Sequence, residues 1–185
     1  MEKYCFFYNF PLCSLGIVEE DGAISGIFFT KRKALAALKR ADIFNEADIY
    51  NEADGFYEAI NFEIEDYIKK ETPLIKKAAA QLGEYFEGKR KNFDLPLSLH
   101  GTDFQLKVWK ALQKIPYGKM TSYGEIARVI GNAAACRAVG MANNRNPIAI
   151  VVPCHRVIGK DGSLTGYGGG LDLKEKLLKL ENVGI

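Results

Sequence analysis

The sequence is poor in the residues that build metal sites and disulfide frameworks. Its 185 residues include two histidines, His100 and His155, and no CxxC spacing, so a zinc site is not expected. The four cysteines follow no paired pattern of the kind that indicates a disulfide scaffold. We therefore expect free thiols, a reducing compartment and no bound metal.

Long hydrophobic runs are also absent. No apolar stretch reaches the about 20 residues that a membrane-spanning helix needs, and Tyr4 to Phe10 is too short and too aromatic for the core of a signal peptide. These features predict a cytoplasmic protein that has no membrane partner.

Charge is unevenly distributed, although the net charge of +2 is small. Residues 1–99 contain 13 Lys and Arg against 17 Asp and Glu, a balance of −4, and residues 100–185 contain 12 against 6, a balance of +6. An acidic first half and a basic second half indicate two units, the second suited to a polyanionic partner. Ordinary charge scatter accounts for the same numbers equally well.

The first half of the chain predicts a small α/β domain. Three runs rich in Phe, Tyr, Ile and Val predict strands over residues 4–10, 13–20 and 23–30. Glu20-Asp21-Gly22 indicates a hairpin between the last two, so the sheet is expected to be short and antiparallel. A helix is predicted over residues 32–41, whereas residues 44–70 fit either the strand or the helix period.

A stronger helix and a linker follow. Pro73 at the first turn and Gly88 just past the end predict a helix through Phe86. Lys89 to Leu99 is a basic and then apolar link that contains Pro96. We place the domain boundary in this link, which gives domains over residues 1–90 and 91–185.

The second half predicts a mainly helical domain. Thr102 can cap a helix with one apolar face, and Thr121 or Ser122 can cap the next. After Gly131-Asn132 a third helix, rich in small residues, is predicted from Ala134 to Asn144. The last pair indicates a helix-turn-helix, with a plain helical hairpin as the alternative. With a closing helix over residues 171–180, the predicted fold class is α+β.

The segment Pro153-Cys154-His155-Arg156-Val157 carries the candidate chemistry. It follows the apolar run Ile148 to Val152, which we interpret as a buried strand, and Pro153 favours a turn that presents the thiol. A neighbouring histidine can lower the pKa of a thiol, and the thiolate is the reactive form. The alternative is a packed cysteine beside an unrelated histidine.

Together these segments resemble one family, the O6-alkylguanine-DNA alkyltransferases, also called methylated-DNA–protein-cysteine methyltransferases. The resemblance runs from about Gly101 to Glu181, and residues 1–90 match only weakly. The matching segments are Gly101-Thr102-Asp103-Phe104-Gln105, Val108-Trp109, Ile115-Pro116-Tyr117-Gly118, Ser122 to Ala127, Arg137-Ala138-Val139-Gly140, Asn146-Pro147-Ile148, Pro153 to Val157, Gly166-Tyr167 and Gly169-Gly170-Leu171.

The resemblance implies DNA repair by a suicide reaction. Cys154 would take the alkyl group from O6-alkylguanine in double-stranded DNA, and each protein molecule would act once without a cofactor. It implies a monomer that binds the minor groove and lies with the nucleoid if the source is prokaryotic. Whether O4-alkylthymine is also repaired stays open.

The resemblance also assigns roles to residues. Cys154, His155, Glu181 and Tyr123 would be catalytic, with His155 acting on the thiol through a water because adjacent extended side chains diverge. Arg137, Tyr123, Ala138 and Asn146 would serve DNA binding, Arg137 as the finger that fills the vacated stack and Asn146 as a hinge. The base pocket would be lined by Val157, Tyr167, Gly168 and Lys174, although Lys174 on its own could equally be an exposed lysine.

Two other functional classes stay in view. One is a non-catalytic protein that binds alkyl lesions, but relatives of that kind lack the acceptor cysteine. The other is a Cys-His hydrolase, which would need an oxyanion pocket that the sequence does not indicate.

Overall fold

The structure is a computed structural model that describes residues 2–30 and 67–184. The chain divides into two units, residues 1–98 and 99–185, so the division falls inside the link from Lys89 to Leu99. The helix predicted over residues 32–41 lies outside the described residues, as does most of the ambiguous segment 44–70. Within the described ranges, no helix has the length and apolar character needed to cross a membrane.

The first unit is built on a four-stranded sheet. Strands β1 (Lys3–Asn9), β2 (Ser14–Glu20) and β3 (Ala23–Thr30) are antiparallel neighbours, and β4 (Ile68–Lys69) pairs with β1 in parallel. The strand order is β3-β2-β1-β4. The parallel fourth strand adds to the short antiparallel sheet that the sequence predicts.

The turn between β2 and β3 confirms the predicted hairpin. Its two residues, Asp21 and Gly22, have φ of 51° and 74°, and both positive values match the tight turn that suits the twist of paired strands. Glu20 and Ala23 are cross-strand partners on either side of it.

Helix α1 (Pro73–Phe86) covers this sheet, packing on β1, β2 and β3. Its start matches the prediction, because Pro73 occupies the first turn and the Thr72 hydroxyl accepts a hydrogen bond from the Ile75 amide at 3.1 Å. The buried face repeats at helical spacing and includes Ile75, Leu82 and Tyr85, none of which is exposed.

The second unit consists mainly of helices, which confirms the predicted α+β class. They are α2 (Asp103–Leu112), α3 (Tyr123–Val129), α4 (Cys136–Asn144) and α5 (Leu171–Leu180). Helices α2, α3 and α4 pack against one another, and α3 and α4 are the two helices of the predicted helix-turn-helix.

Local signals explain where these helices begin. Thr102 and Gln105 form a reciprocal capping box at the start of α2, and the Ser122 hydroxyl accepts from the Glu125 amide at 3.2 Å at the start of α3. In α2, Trp109 is buried, and its Nε1–H donates to the Ala142 carbonyl of α4 at 2.8 Å. This bond fixes α4 against the core.

The segment before Cys154 differs from the buried strand that its sequence predicts. The run Ile148 to Val152 is not a strand: it forms a tight loop with an isolated bridge between Ala149 and Val152, and Ile150 has a φ of 70°. The run is apolar because the loop is buried, and periodicity alone does not separate that case from a strand. A short two-stranded parallel sheet in this unit is formed instead by β5 (Thr121–Ser122) and β6 (Val157–Ile158).

Candidate active site

Cys154 opens a 3-10 turn, Cys154–Arg156, so Cys154 and His155 do not have the extended backbone that was expected from the sequence. The cysteine is buried, with 6% exposed. Asn146 fixes its surroundings: Nδ2 donates to the Val152 carbonyl at 2.7 Å and to Cys154 Sγ at 3.1 Å, and Oδ1 accepts from the Ile148 amide at 3.1 Å. Asn146 thus ties the end of α4 to the loop that carries the thiol.

Burial raises the pKa of the Cys154 thiol above its ordinary value. The amide of Asn146, the positive charge of Lys174 and two backbone N–H groups act in the opposite direction but do not cancel the effect of burial. The resting side chain is therefore a thiol, and it has to lose its proton before it can act as a nucleophile. The site needs a base close to Cys154.

His155, the next residue of the same turn, is the candidate base. Its Nε2 lies 2.8 Å from Glu181 Oε1, and neither side chain has exposed surface. Because an ionised carboxylate only accepts hydrogen bonds, Nε2 carries the proton and donates it to Glu181. This assignment leaves the lone pair on Nδ1, which is the ring nitrogen able to receive a proton.

Glu181, just beyond α5, accepts four hydrogen bonds. In addition to His155, Arg156 donates from Nε to Oε2 and from Nη2 to Oε1, each at 2.9 Å, and the Gly118 amide donates to Oε2 at 3.1 Å. Burial acts to raise the pKa of Glu181, but the bonds and charges of His155 and Arg156 lower it to about 2. Burial lowers the pKa of His155. The site therefore combines an ionised carboxylate with a neutral imidazole at neutral pH.

Lys174 is buried in α5 and is not the exposed lysine of the alternative interpretation. Its Nζ donates to the Val157 carbonyl at 2.6 Å and to the Thr165 carbonyl at 2.8 Å, and burial lowers its pKa to about 8. Tyr123, at the start of α3, donates its hydroxyl to the same Thr165 carbonyl at 3.0 Å. The Tyr123 ring centroid lies 6.0 Å from Nζ, so Tyr123, Val157 and Lys174 are brought together.

The glycine-rich loop next to this group buries one of its side chains and contains an internal backbone hydrogen bond. Tyr167 is buried and only 4% exposed, and its carbonyl accepts from the Gly170 amide at 2.9 Å. Gly168 is half-buried between them.

The predicted DNA-binding residues fall into two places. Arg137 and Ala138 lie on the exposed face of α4, where Met141 is 59% exposed, whereas Val139 of the same helix is buried. Asn146 does not share that surface, because its side chain is 5% exposed and bonds only within the Cys154 loop.

Sequence reasoning missed three residues of this site: Arg156, Gly118 and Asn143. Asn143 donates to the Cys154 carbonyl at 3.3 Å. Gly118 has a φ of 71°, and a Cβ there would lie 3.0 Å from the Glu181 carbonyl oxygen, so no other residue fits easily. Arg156 stood inside the quoted cysteine segment, and its charge among apolar neighbours was a signal that a buried acid had to pair with it.

Candidate metal ligands do not cluster in the described part of the chain. Among residues 2–30 and 67–184, no three His, Cys, Asp or Glu side chains lie close enough together to hold an ion.

Comparison with known proteins identifies the class to which this fold and site belong. Residues 103–183 match the family model for the 6-O-methylguanine DNA methyltransferase DNA-binding domain, and residues 3–99 match the model for the ribonuclease-like domain of the same proteins. The chain belongs to the methylated-DNA–protein-cysteine methyltransferase family.

Individual relatives agree with the family models. The chain is 58% identical over 119 residues to the methylated-DNA–protein-cysteine methyltransferase of Methanosarcina acetivorans, an alignment that covers 64% of this chain and 76% of that protein. It is 56% identical over 115 residues to the constitutive enzyme of the same name from Bacillus subtilis, covering 62% and 70%.

Solved structures show the same similarity across both units. The crystal structure of Mycobacterium tuberculosis O6-methylguanine methyltransferase matches with a TM-score of 0.76 and 38% identity, covering 97% of this chain and 92% of that one. A structure of Mycobacterium tuberculosis OGT in complex with DNA matches with a TM-score of 0.73 at the same identity, covering 96% and 92%.

Proposed function

We propose that this protein repairs DNA by moving the alkyl group from O6 of an alkylated guanine to Cys154 Sγ, in a reaction that consumes one protein molecule per lesion. The observation that carries the proposal is the buried set of Cys154, His155 and Glu181 within the segment that matches the family's DNA-binding domain. The surplus of positive charge in residues 100–185 suits a DNA partner.

The proposed reaction starts with the thiol proton. It moves towards His155 Nδ1 through a water molecule, as the family resemblance implies, and the imidazolium that forms is stabilised by Glu181. The thiolate then attacks the alkyl carbon in line. The sulfur–carbon bond forms as the carbon–O6 bond breaks, and the bonding electrons go to guanine.

Guanine then takes up a proton and stays in the DNA. Tyr123 is the proposed proton or hydrogen-bond donor, and burial raises the pKa of its hydroxyl, so the group is protonated when the lesion arrives. The sulfur keeps the alkyl group because a thioether offers no easy leaving group. No cofactor takes part, since the acceptor is the protein itself.

Access to a buried thiol requires the damaged nucleotide to leave the stack. Arg137 on the exposed face of α4 is proposed to fill the gap, and the small side chain of Ala138 allows close approach to the minor groove. Asn146 is proposed to hold α4 against the Cys154 loop. The proposed base pocket is lined by Val157, Tyr167, Gly168 and Lys174. One monomer is proposed to repair one lesion.

The intact mass of the protein tests this proposal. We expect that incubation with an excess of duplex carrying one O6-methylguanine adds one methyl group to each protein molecule and then stops. Matched duplex with unmodified guanine should add nothing. An unchanged mass with retained binding to the lesion would instead identify a non-catalytic lesion-binding protein, and continued turnover would contradict a suicide reaction.

A further inference from the structure

Arg156 joins three separate segments of the second unit. It lies in the turn that contains Cys154 and His155 and is 6% exposed. Its Nη1 donates to the Ile115 carbonyl, just beyond α2, at 2.6 Å, and its other two bonds go to Glu181, just beyond α5. The Tyr117 ring covers the guanidinium, with its centroid 5.8 Å from Cζ.

Arg156 makes a bidentate contact with Glu181, which fixes the orientation of the carboxylate plane. Two oxygens offer about four lone-pair positions, and the four donors from Arg156, His155 and Gly118 occupy that number. A bidentate guanidinium supplies both geometry and charge in such a pair. Glu181 is therefore held in one orientation with its negative charge compensated.

We infer that Arg156 is a positioning residue: it fixes the Glu181 carboxylate and compensates its charge, so that His155 is kept as a neutral base beside Cys154. The inference rests on the proposed function, because a neutral imidazole matters only if it has to receive the thiol proton.

The charges around His155 explain this effect. Glu181 acts on it as a negative charge, while Arg156 from its own turn and Lys174 from α5 act as positive charges, and Cys154 is a neutral thiol at rest. If the charge of Arg156 is removed, one of the two positive charges that oppose an imidazolium is lost, and the Glu181 carboxylate stabilises the imidazolium more strongly. His155 then keeps its proton up to a higher pH, and below that pH it cannot accept one from Cys154.

Nuclear magnetic resonance measures the pKa of His155 directly, because the sequence contains only two histidines. We expect the pKa of His155 to rise by about one unit, a tenfold change in proton affinity, in Arg156→Gln. A smaller rise is expected in Arg156→Lys, which keeps the charge but loses the fork. His100 in the same spectra is the internal reference. Arg90→Gln, which removes a guanidinium paired with Glu84 in the first unit, should leave both values unchanged.

The rate of methyl transfer supplies a second measurement. The acid limb of its pH profile should move to higher pH by the same amount as the pKa of His155, and the rate should approach that of the wild type on the alkaline side. A purely structural role for Arg156 would lower the rate equally at every pH.

The outcomes separate the two claims. A wild-type protein that transfers no methyl group would refute the proposed function, whatever the spectra show. An unchanged pKa of His155 in folded Arg156→Gln would overturn the role of Arg156 even if transfer proceeds. If Arg156→Gln fails to fold, Arg156→Lys decides, because it loses the bidentate contact: an unchanged pKa of His155 together with a transfer rate that is lowered equally at every pH would overturn the inference.

Discussion

At the scale of single residues, Glu181 is the side chain whose charge the site depends on most. Its pKa of about 2 lies below the ordinary 4.5. Between these pH values the carboxyl group therefore binds fewer protons in the folded protein than in the unfolded chain. It therefore stabilises the fold above about pH 4.5, and this contribution is lost as the pH falls towards 2.

We predict that the free energy of unfolding of the wild type falls more steeply between pH 5 and pH 2 than that of Glu181→Gln. Urea titrations across this range measure the difference. Glu175→Gln is the matched control, since Glu175 forms an exposed pair with Lys179 and such pairs contribute little. Parallel curves for the wild type and Glu181→Gln would show that folding does not lower the pKa of Glu181.

At the scale of elements, α4 connects the proposed DNA finger to the nucleophile. We predict that Arg137→Ala slows repair in duplex DNA at least tenfold more than it slows reaction with free O6-benzylguanine, because a free base needs no flipping. Single-turnover rates on both substrates measure this. Arg145→Ala removes another exposed charge just past the same helix and should affect duplex repair far less. Equal losses on both substrates for Arg137→Ala would remove its role as a finger.

The end of α4 should also respond to the reaction. Cys154 Sγ lies 3.1 Å from Asn146 Nδ2 in a buried loop, and extra methylene-sized groups in packed interiors cost roughly 1–3 kcal/mol. We predict that the methylated protein melts at a lower temperature and exchanges amide hydrogens faster over residues 137–146. Protein treated with undamaged duplex is the control. Unchanged protection with an unchanged or higher melting temperature would mean that the loop absorbs the methyl group without strain.

The elements also show how far sequence reasoning reaches. Local signals predicted the Asp21-Gly22 hairpin turn and the starts of α1 and α2, because a turn or cap depends on residues within a few positions of one another. The loop Ile148 to Val152 was misread as a strand, since burial and not alternation sets its composition. The roles of Arg156 and Gly118 were missed because both act on Glu181, which is distant in sequence. The charge of Arg156 among apolar neighbours indicates a buried acid but does not identify which one.

At the scale of the whole molecule, we expect the positive charge balance of residues 100–185 to govern DNA binding. We predict a modest affinity that is largely independent of sequence and falls with salt, with a slope of log K against log salt of about −0.9 for each phosphate contact. Fluorescence anisotropy between low and physiological salt measures it. Lys77→Ala in the first unit, where Lys77 pairs with Asp94, should leave the slope unchanged. A salt-insensitive affinity, or an undamaged sequence preferred more than about a thousandfold, would contradict a lesion finder.

The central claim is that Cys154 is the alkyl acceptor among four cysteines, of which Cys5 is also buried, Cys13 half-buried and Cys136 exposed. Peptide mapping by mass spectrometry after reaction with O6-methylguanine duplex tests it most directly, with Cys154→Ala run alongside. We predict that the methyl group is found on Cys154 alone, and that Cys154→Ala gains no methyl group while it still binds the duplex. A methyl group on any of the other three cysteines, or transfer by Cys154→Ala, would contradict the account.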